Sequence, residues 1–236
     1  MPLTIAHPAA MVPLRRSGLP FSALVVGSLA PDLEYLLHLS PTGHIGHTIP
    51  GIFIFCLPIG LISLLIVHRT WMPTVNALLN RVEPEFRFLP ASSFGLICIS
   101  ILIGAFSHVA WDSFTHSYGW MVQHIPVLTM PLADTMWGTL RLFKLLQHAS
   151  TLIGLAVAGA VVLPAVRTFS ATVLRILAIL VCTSVIGGIA IGLAKAGMPS
   201  DFDAARGLTG IAVVGSFVVF LTETTVGAVL WRLGRK

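Results

Sequence analysis

Five apolar stretches, at 49–68, 92–112, 149–166, 171–194 and 208–231, constrain this chain more than anything else in it. A hydrocarbon layer about 30 Å thick is crossed by about 20 residues of helix rising ~1.5 Å each. At that depth no water satisfies the backbone, so each crossing segment must bond its own N–H and C=O groups. The predicted fold is therefore all-α, a polytopic bundle of membrane helices. Composition agrees: 56% of the 236 residues are hydrophobic and 10% are charged, against about 25% charged in an ordinary soluble domain. With no polar linker to divide it, 1–236 is expected to be one integral membrane domain. Its first part, 1–155, carries the polar motifs, and 156–236 supplies further spans.

A sixth stretch, 19–37, is shorter and is interrupted at Pro31-Asp32. It is open to three readings: a short span, a re-entrant helix, or a helix buried among the others. Basic residues set orientation. Arg69, Arg81, Arg87, Arg167, Arg175, Arg232, Arg235 and Lys236 fall on one side, and Arg141, Lys144, Lys195 and Arg206 on the other. Arg15 and Arg16 join the larger group if 19–37 crosses and the smaller one if it does not. Either way the C-terminus is expected in the cytoplasm, and the His/Asp clusters face the outer side of a cytoplasmic membrane. Arg15-Arg16, the apolar run after them and Gly27-Ser28-Leu29-Ala30 imitate a secretory leader. Residues 3–14 are themselves apolar, though, which such a leader does not need, and the segment is expected to stay.

The formal charge of +5 rests on 14 Lys and Arg placed at span ends, without a basic patch or interleaved aromatics, so nucleic acid is excluded as a partner. Cys56, Cys98 and Cys182 each lie inside an apolar run and read as small buried hydrophobes rather than a disulfide or a thiolate site. There is no nucleophile elbow, P-loop or His-Glu-x-x-His motif.

The chemistry-bearing residues cluster instead at span ends. His108, Asp112 and His116 are spaced by four, which places them on one helical face. Ionisable groups in a membrane segment are costly and mark function. Two imidazoles with a carboxylate suit zinc, or manganese if more oxygens join. Asp32 follows a proline at the end of a small-residue stretch; it either reaches a metal or opens a helix, where an acid is favoured by the dipole. Glu34 lies within one turn of it. Of His38, His44 and His47, the last is nearest the 49–68 span and is the preferred ligand. His7, in an apolar setting before Pro8, reads as a buried, satisfied histidine. His148 begins the third strong span and is a further ligand or a donor that orients one. His68 reads as interfacial and His124 as solvated.

The order His7-Pro8, Gly27-Ser28-x-x-Pro31-Asp32, His47-Thr48, Ser107-His108-x-x-x-Asp112-Ser113-Phe114-Thr115-His116 and Gln147-His148-x-Ser150-Thr151 resembles a bacterial membrane family known as domain of unknown function 4184. The likeness covers most of 1–155. In motif order that family resembles membrane-bound metal-dependent hydrolases and, more distantly, zinc-dependent phospholipase C. The resemblance implies that Asp32, His47, His108 and Asp112 hold one zinc. It further implies that Asp112 bridges to a second zinc with His7, and that His116 and His148 are candidates for a third. A glutamate expected one turn after His148 is replaced by Thr151 and Gly154.

The resulting expectation is a membrane-embedded metal-dependent hydrolase. Metal-activated water would attack a phosphoester or lipid-like substrate. Asp32, Glu34 and Asp112 would be its catalytic carboxylates, and Glu34 the proton acceptor. The expected partners are membrane lipid and an amphiphilic phosphoester. Two other classes fit the same residues. A metal-ion or proton translocator would need ionisable groups across the membrane, where only Glu223 and Arg175 stand. A non-catalytic protein would use the metal to clamp its helices.

Overall fold

The computed structural model describes residues 4–79, 94–135, 138–167 and 169–233. Among the described residues five helices are long and apolar enough to cross a membrane, as the apolar stretches require: α3 (Ile49–Ala77), α4 (Phe94–Thr115), α6 (Leu142–Val166), α7 (Ala171–Ala196) and α8 (Phe202–Leu233). The short helices are α1 (Phe21–Leu29), α2 (Leu33–His38) and α5 (Trp120–His124). The chain is an all-α polytopic bundle. One exposed hairpin was not foreseen: β1 (Pro131–Thr135) pairs antiparallel with β2 (Gly138–Arg141), Asp134 opposite Thr139. Among the orientation residues, Arg81, Arg87, Arg235 and Lys236 lie outside the described residues.

Local chemistry explains the irregular segments. Residues 19–37 form no continuous helix. α1 ends at Leu29, a 3-10 turn covers Ala30–Asp32, and α2 follows, so the break falls at Pro31-Asp32. Thr4–Arg16 is a run of 3-10 turns holding Pro8 and Pro13. Helix α3 is capped by the Thr48 side chain, which accepts from Gly51 N at 3.0 Å, with Pro50 in the first turn. It carries two π turns, Ile52–Cys56 and Val67–Trp71, each ending two residues before a proline, Pro58 and Pro73. A proline ring clashes with the carbonyl four residues back, and the wide turn makes room for it.

The chain forms two compact units. The first comprises Met1–Pro31, His47–Leu61 and Leu89–Pro164. Here α1 lies against α4 with backbone on backbone. A Cβ at Gly27 would fall on the Ile101 carbonyl, and one at Gly104 on the Leu24 carbonyl. Such small-residue contacts are how helices approach closely where lipid supplies no hydrophobic drive between them. Gly154 of α6 similarly admits Ala6, beside His7; a Cβ there would lie 2.7 Å from Ala6 Cβ. Leu24, Ile101 and Ala105 are fully buried, and Met11 packs with Phe21 and Leu24.

The second unit comprises Asp32–Gly46, Ile62–Phe88 and Ala165–Lys236. α7 and α8 pack through Gly188, where a Cβ would fall on Ser216 and the Ala212 carbonyl. Glu223 of α8 accepts from Thr183 at 2.9 Å and Ser184 at 3.2 Å. Trp71 Nε1 donates to Thr225 at 3.0 Å. Lys195 at the end of α7 donates to the carbonyls of His38 and Leu39. Of the cysteines, Cys56 is buried, Cys98 half-buried and Cys182 exposed, and they form no disulfide among the described residues. The expectation of a buried residue fails for Cys182, which lies on an outward face of α7.

Candidate metal centre

The centre is built around Asp112, in the last turn of α4. Spacing by four puts His108 and Asp112 on the buried face of that helix, at 1% and 5% exposure. The 3-10 run brings in His7, and the cap of α3 places His47, the residue just before Thr48. Their nitrogens surround one carboxylate. His7 Nε2 is 3.5 Å from Oδ1, while His108 Nε2 and His47 Nε2 are 3.4 and 3.6 Å from Oδ2. The rings of His7 and His108 stack at 3.7 Å between centroids, and His47 meets His108 edge-on at 5.3 Å.

The tautomer of His108 follows from its outer nitrogen. Nδ1 is 2.7 Å from the carbonyl oxygen of Ser28. A carbonyl only accepts, so Nδ1 carries the proton and donates. In the neutral ring Nε2 then presents a lone pair to Asp112 Oδ2. Nε2 lies 3.4 Å from that oxygen, and a cation between a neutral imidazole and the carboxylate would satisfy both. The separations fit the same view. They exceed the 2.7–3.2 Å of an N–H···O bond, and those of His108 and His7, 3.4 and 3.5 Å, match the about 3.3–3.5 Å between two ligands each ~2.0–2.1 Å from one tetrahedral zinc. Donor atoms of His7, His108 and Asp112 all lie within 4.8 Å of one another, so these residues fit a metal ion.

The other expected residues are distributed as follows. His116 is buried and its Nδ1 is 3.6 Å from Asp112 Oδ1, but that nitrogen is also 3.2 Å from the Asp112 carbonyl. Asp32, 5% exposed, is one peptide bond beyond Pro31 and is the first residue of the second unit. His148 is exposed on α6, and His44 is exposed as well. His124 is exposed on α5, stacked on Trp120 at 4.3 Å, as the solvated reading expects.

Glu34 has a definite structural task. Its two oxygens accept the amides of His44 at 3.1 Å, Ile45 at 3.2 Å and Gly46 at 2.8 Å, closing the loop after α2. Burial pushes its carboxyl up, but the amides of Gly46, Ile45 and His44 pull it further down. It is held below the ordinary glutamate range, with exposed His38 adding to the effect.

Sequence reasoning passed over two participants. One is the Ser28 carbonyl, which no side-chain pattern reveals. The other is Gln147, 1% exposed, whose Nε2 lies 3.3 Å from His116 Nε2. A signal for it existed: Phe143, Gln147 and Gly154 are spaced by four and seven, so 147 shares the inward face that 148 leaves.

Apolar spans and a buried carboxylate ringed by imidazoles define an integral helical membrane protein with residues able to hold a metal. The family described as Domain of unknown function (DUF4184) matches residues 1–232, and the chain belongs to it. The match runs through the last two spans, well past the motif-bearing first 155 residues. Comparison with curated proteins and with solved structures gave no match.

Proposed function

We propose that the protein is a membrane-embedded metal-dependent hydrolase acting on a phosphoester or lipid-like substrate. The supporting observation is the His108–Asp112 pair, with Nε2 turned toward Oδ2 at 3.4 Å and the far nitrogen of His108 committed to Ser28. His47 and His108 on Oδ2 and His7 on Oδ1 would make Asp112 a bridge between two ion positions. A bound divalent ion, zinc or manganese, would supply Lewis acidity that activates water for attack on phosphorus. The residues' part is to hold the ions in fixed positions: Ser28 orients His108, and the stacked His7 and His108 share one wall. We place the chain in the cytoplasmic membrane of a bacterium, with its C-terminus inside, on the asymmetry of its basic residues.

A second reading, a metal clamp without turnover, is favoured by the low exposure of His7, His108 and Asp112 and by Glu34, whose oxygens both serve the loop. A closed ligand shell is structural, whereas catalysis needs an open position.

The test is metal content of the detergent-purified chain by inductively coupled plasma mass spectrometry, with a phosphoester substrate screen. Stoichiometric zinc or manganese, lost in both Asp112→Ala and His108→Ala, together with turnover lost in the same variants, is the expected result. Metal without turnover on any phosphoester would leave the clamp. No stoichiometric metal after loading would remove the hydrolase.

A further inference from the structure

We infer that Gln147 is a positioning residue of the metal centre: held by Lys144, it fixes His116 in the Nδ1–H tautomer, so that His116 steadies Asp112 and does not ligate the ion. Its consequence for metal affinity rests on the metal reading above. The tautomer itself rests only on hydrogen bonds.

The chain of assignments starts at Lys144 on α6. Its ammonium only donates, and it lies 2.9 Å from Gln147 Oε1. That fixes which end of the amide is which, because the reversed amide would set two donors against each other. Gln147 Nε2, carrying hydrogens and no acceptor, therefore faces His116, 3.3 Å from its Nε2. His116 Nε2 must accept, so the ring proton sits on Nδ1.

The other side of the ring gives the same answer independently. Nδ1 is 3.2 Å from the Asp112 carbonyl, which can only accept. It is also 3.2 Å from Thr115 Oγ1, a hydroxyl whose proton is directed to the Trp111 carbonyl at 3.3 Å. Both neighbours call for a donor at Nδ1. One ring nitrogen is thus occupied by Gln147, and the other carries a hydrogen. Neither offers a lone pair to a metal, although sequence spacing alone ranks His116 with His108.

What His116 does offer is an N–H to the Asp112 carbonyl at 3.2 Å, on the Oδ1 side of that residue's carboxylate. The opposite oxygen faces His47 and His108. Partners of this kind fix the orientation and basicity of a metal-binding carboxylate, and their loss costs about 10–100-fold in affinity. Lys144, Gln147, His116 and Asp112 form a single line from a partly exposed ammonium to the centre, all within the first unit.

The experiment uses the full chain in detergent, labelled with 15N at histidine, and zinc alone as the probe. His116 is assigned by its absence from the His116→Ala spectrum. The wild type is expected to show His116 with the proton on Nδ1. Gln147→Glu puts an acceptor before Nε2 and is expected to move the proton there. Gln147→Met keeps the bulk without a donor and is expected to release the preference, which guards against a Glu variant that fails to fold. His116→Ala and Gln147→Met should bind as many zinc ions per chain as the wild type, about 10–100-fold more weakly. Loss of one ion per chain in His116→Ala, or a His116 proton unmoved in both Gln147 variants, would overturn the inference. If the wild type binds no zinc, the hydrolase reading fails and the tautomer data still decide this one.

Discussion

His108 Nδ1 donates to the carbonyl oxygen of Ser28 across 2.7 Å, and this one bond turns the other ring nitrogen toward Asp112. A residue of α1 thereby determines the chemistry of a residue on α4, eighty positions later in the chain.

Metal should stabilise the folded chain, because the donors converge only there. At a free zinc concentration about 100 times Kd the gain is about 2.7 kcal/mol. Melting followed by circular dichroism should show a chelator lowering the Tm of the wild type and leaving Asp112→Asn unmoved. His148→Ala and His44→Ala, which alter exposed side chains, should respond like the wild type. A chelator effect that survives in Asp112→Asn would place the ion elsewhere.

Gly27→Ala and Gly104→Ala should each destabilise the first unit by about 1–3 kcal/mol, the cost of overpacking. The clash is with main chain rather than a flexible side chain, which argues for the upper end. Gly95→Ala on α4, where an added Cβ meets nothing within 4 Å, should stay within about 0.5 kcal/mol. Comparative Tm values check this, and zinc affinity should fall with the first two substitutions because α1 carries Ser28.

Glu34→Gln should loosen the loop it closes. Hydrogen bonds to a charged acceptor contribute about 1.5–3 kcal/mol, and three amides share this one. Hydrogen–deuterium exchange at His44, Ile45 and Gly46 is expected to accelerate in the variant. The folded carboxyl titrates below its unfolded value. Its stabilisation is therefore complete above the ordinary glutamate range and is lost as pH falls through the lowered value. Protection of those amides that persists in Glu34→Gln would contradict the clasp.

In the second unit, Gly188→Ala should separate α7 from α8 and cost about 1–3 kcal/mol, since its Cβ would fall on Ser216 and the Ala212 carbonyl. Gly207→Ala on α8, open on all sides, should be neutral or gain up to about 1 kcal/mol of helix propensity. Equal Tm values for the two would refute the packing.

The spans were legible because apolar length reports directly on membrane helices, and the Pro31-Asp32 break because proline ends a helix locally. The hairpin at Pro131–Arg141 was not, since it is short, exposed and has no alternating apolar face. At the centre, the four-residue spacing found His108 and Asp112. The same spacing drew in His116, because periodicity registers the face a residue occupies and is blind to which nitrogen holds the proton. His148 was preferred to Gln147 for its side-chain chemistry, although one residue is about 100° of helix rotation. His7 read as an ordinary buried histidine because its partner carboxylate lies more than a hundred residues away. Tautomers and rotations of this kind emerge only from tertiary contacts.

At Gly27 and Gly104 no side chain lies between α1 and α4, and main chain meets main chain there. Interfaces padded with long side chains yield as rotamers hop, and their halves drift. Here the spacing is set by atomic radii and covalent geometry, which scarcely yield at all. The Ser28 carbonyl sits one residue from one glycine and His108 four residues from the other, so both inherit that stiffness. The imidazole is thus aimed across a joint where main chain meets main chain.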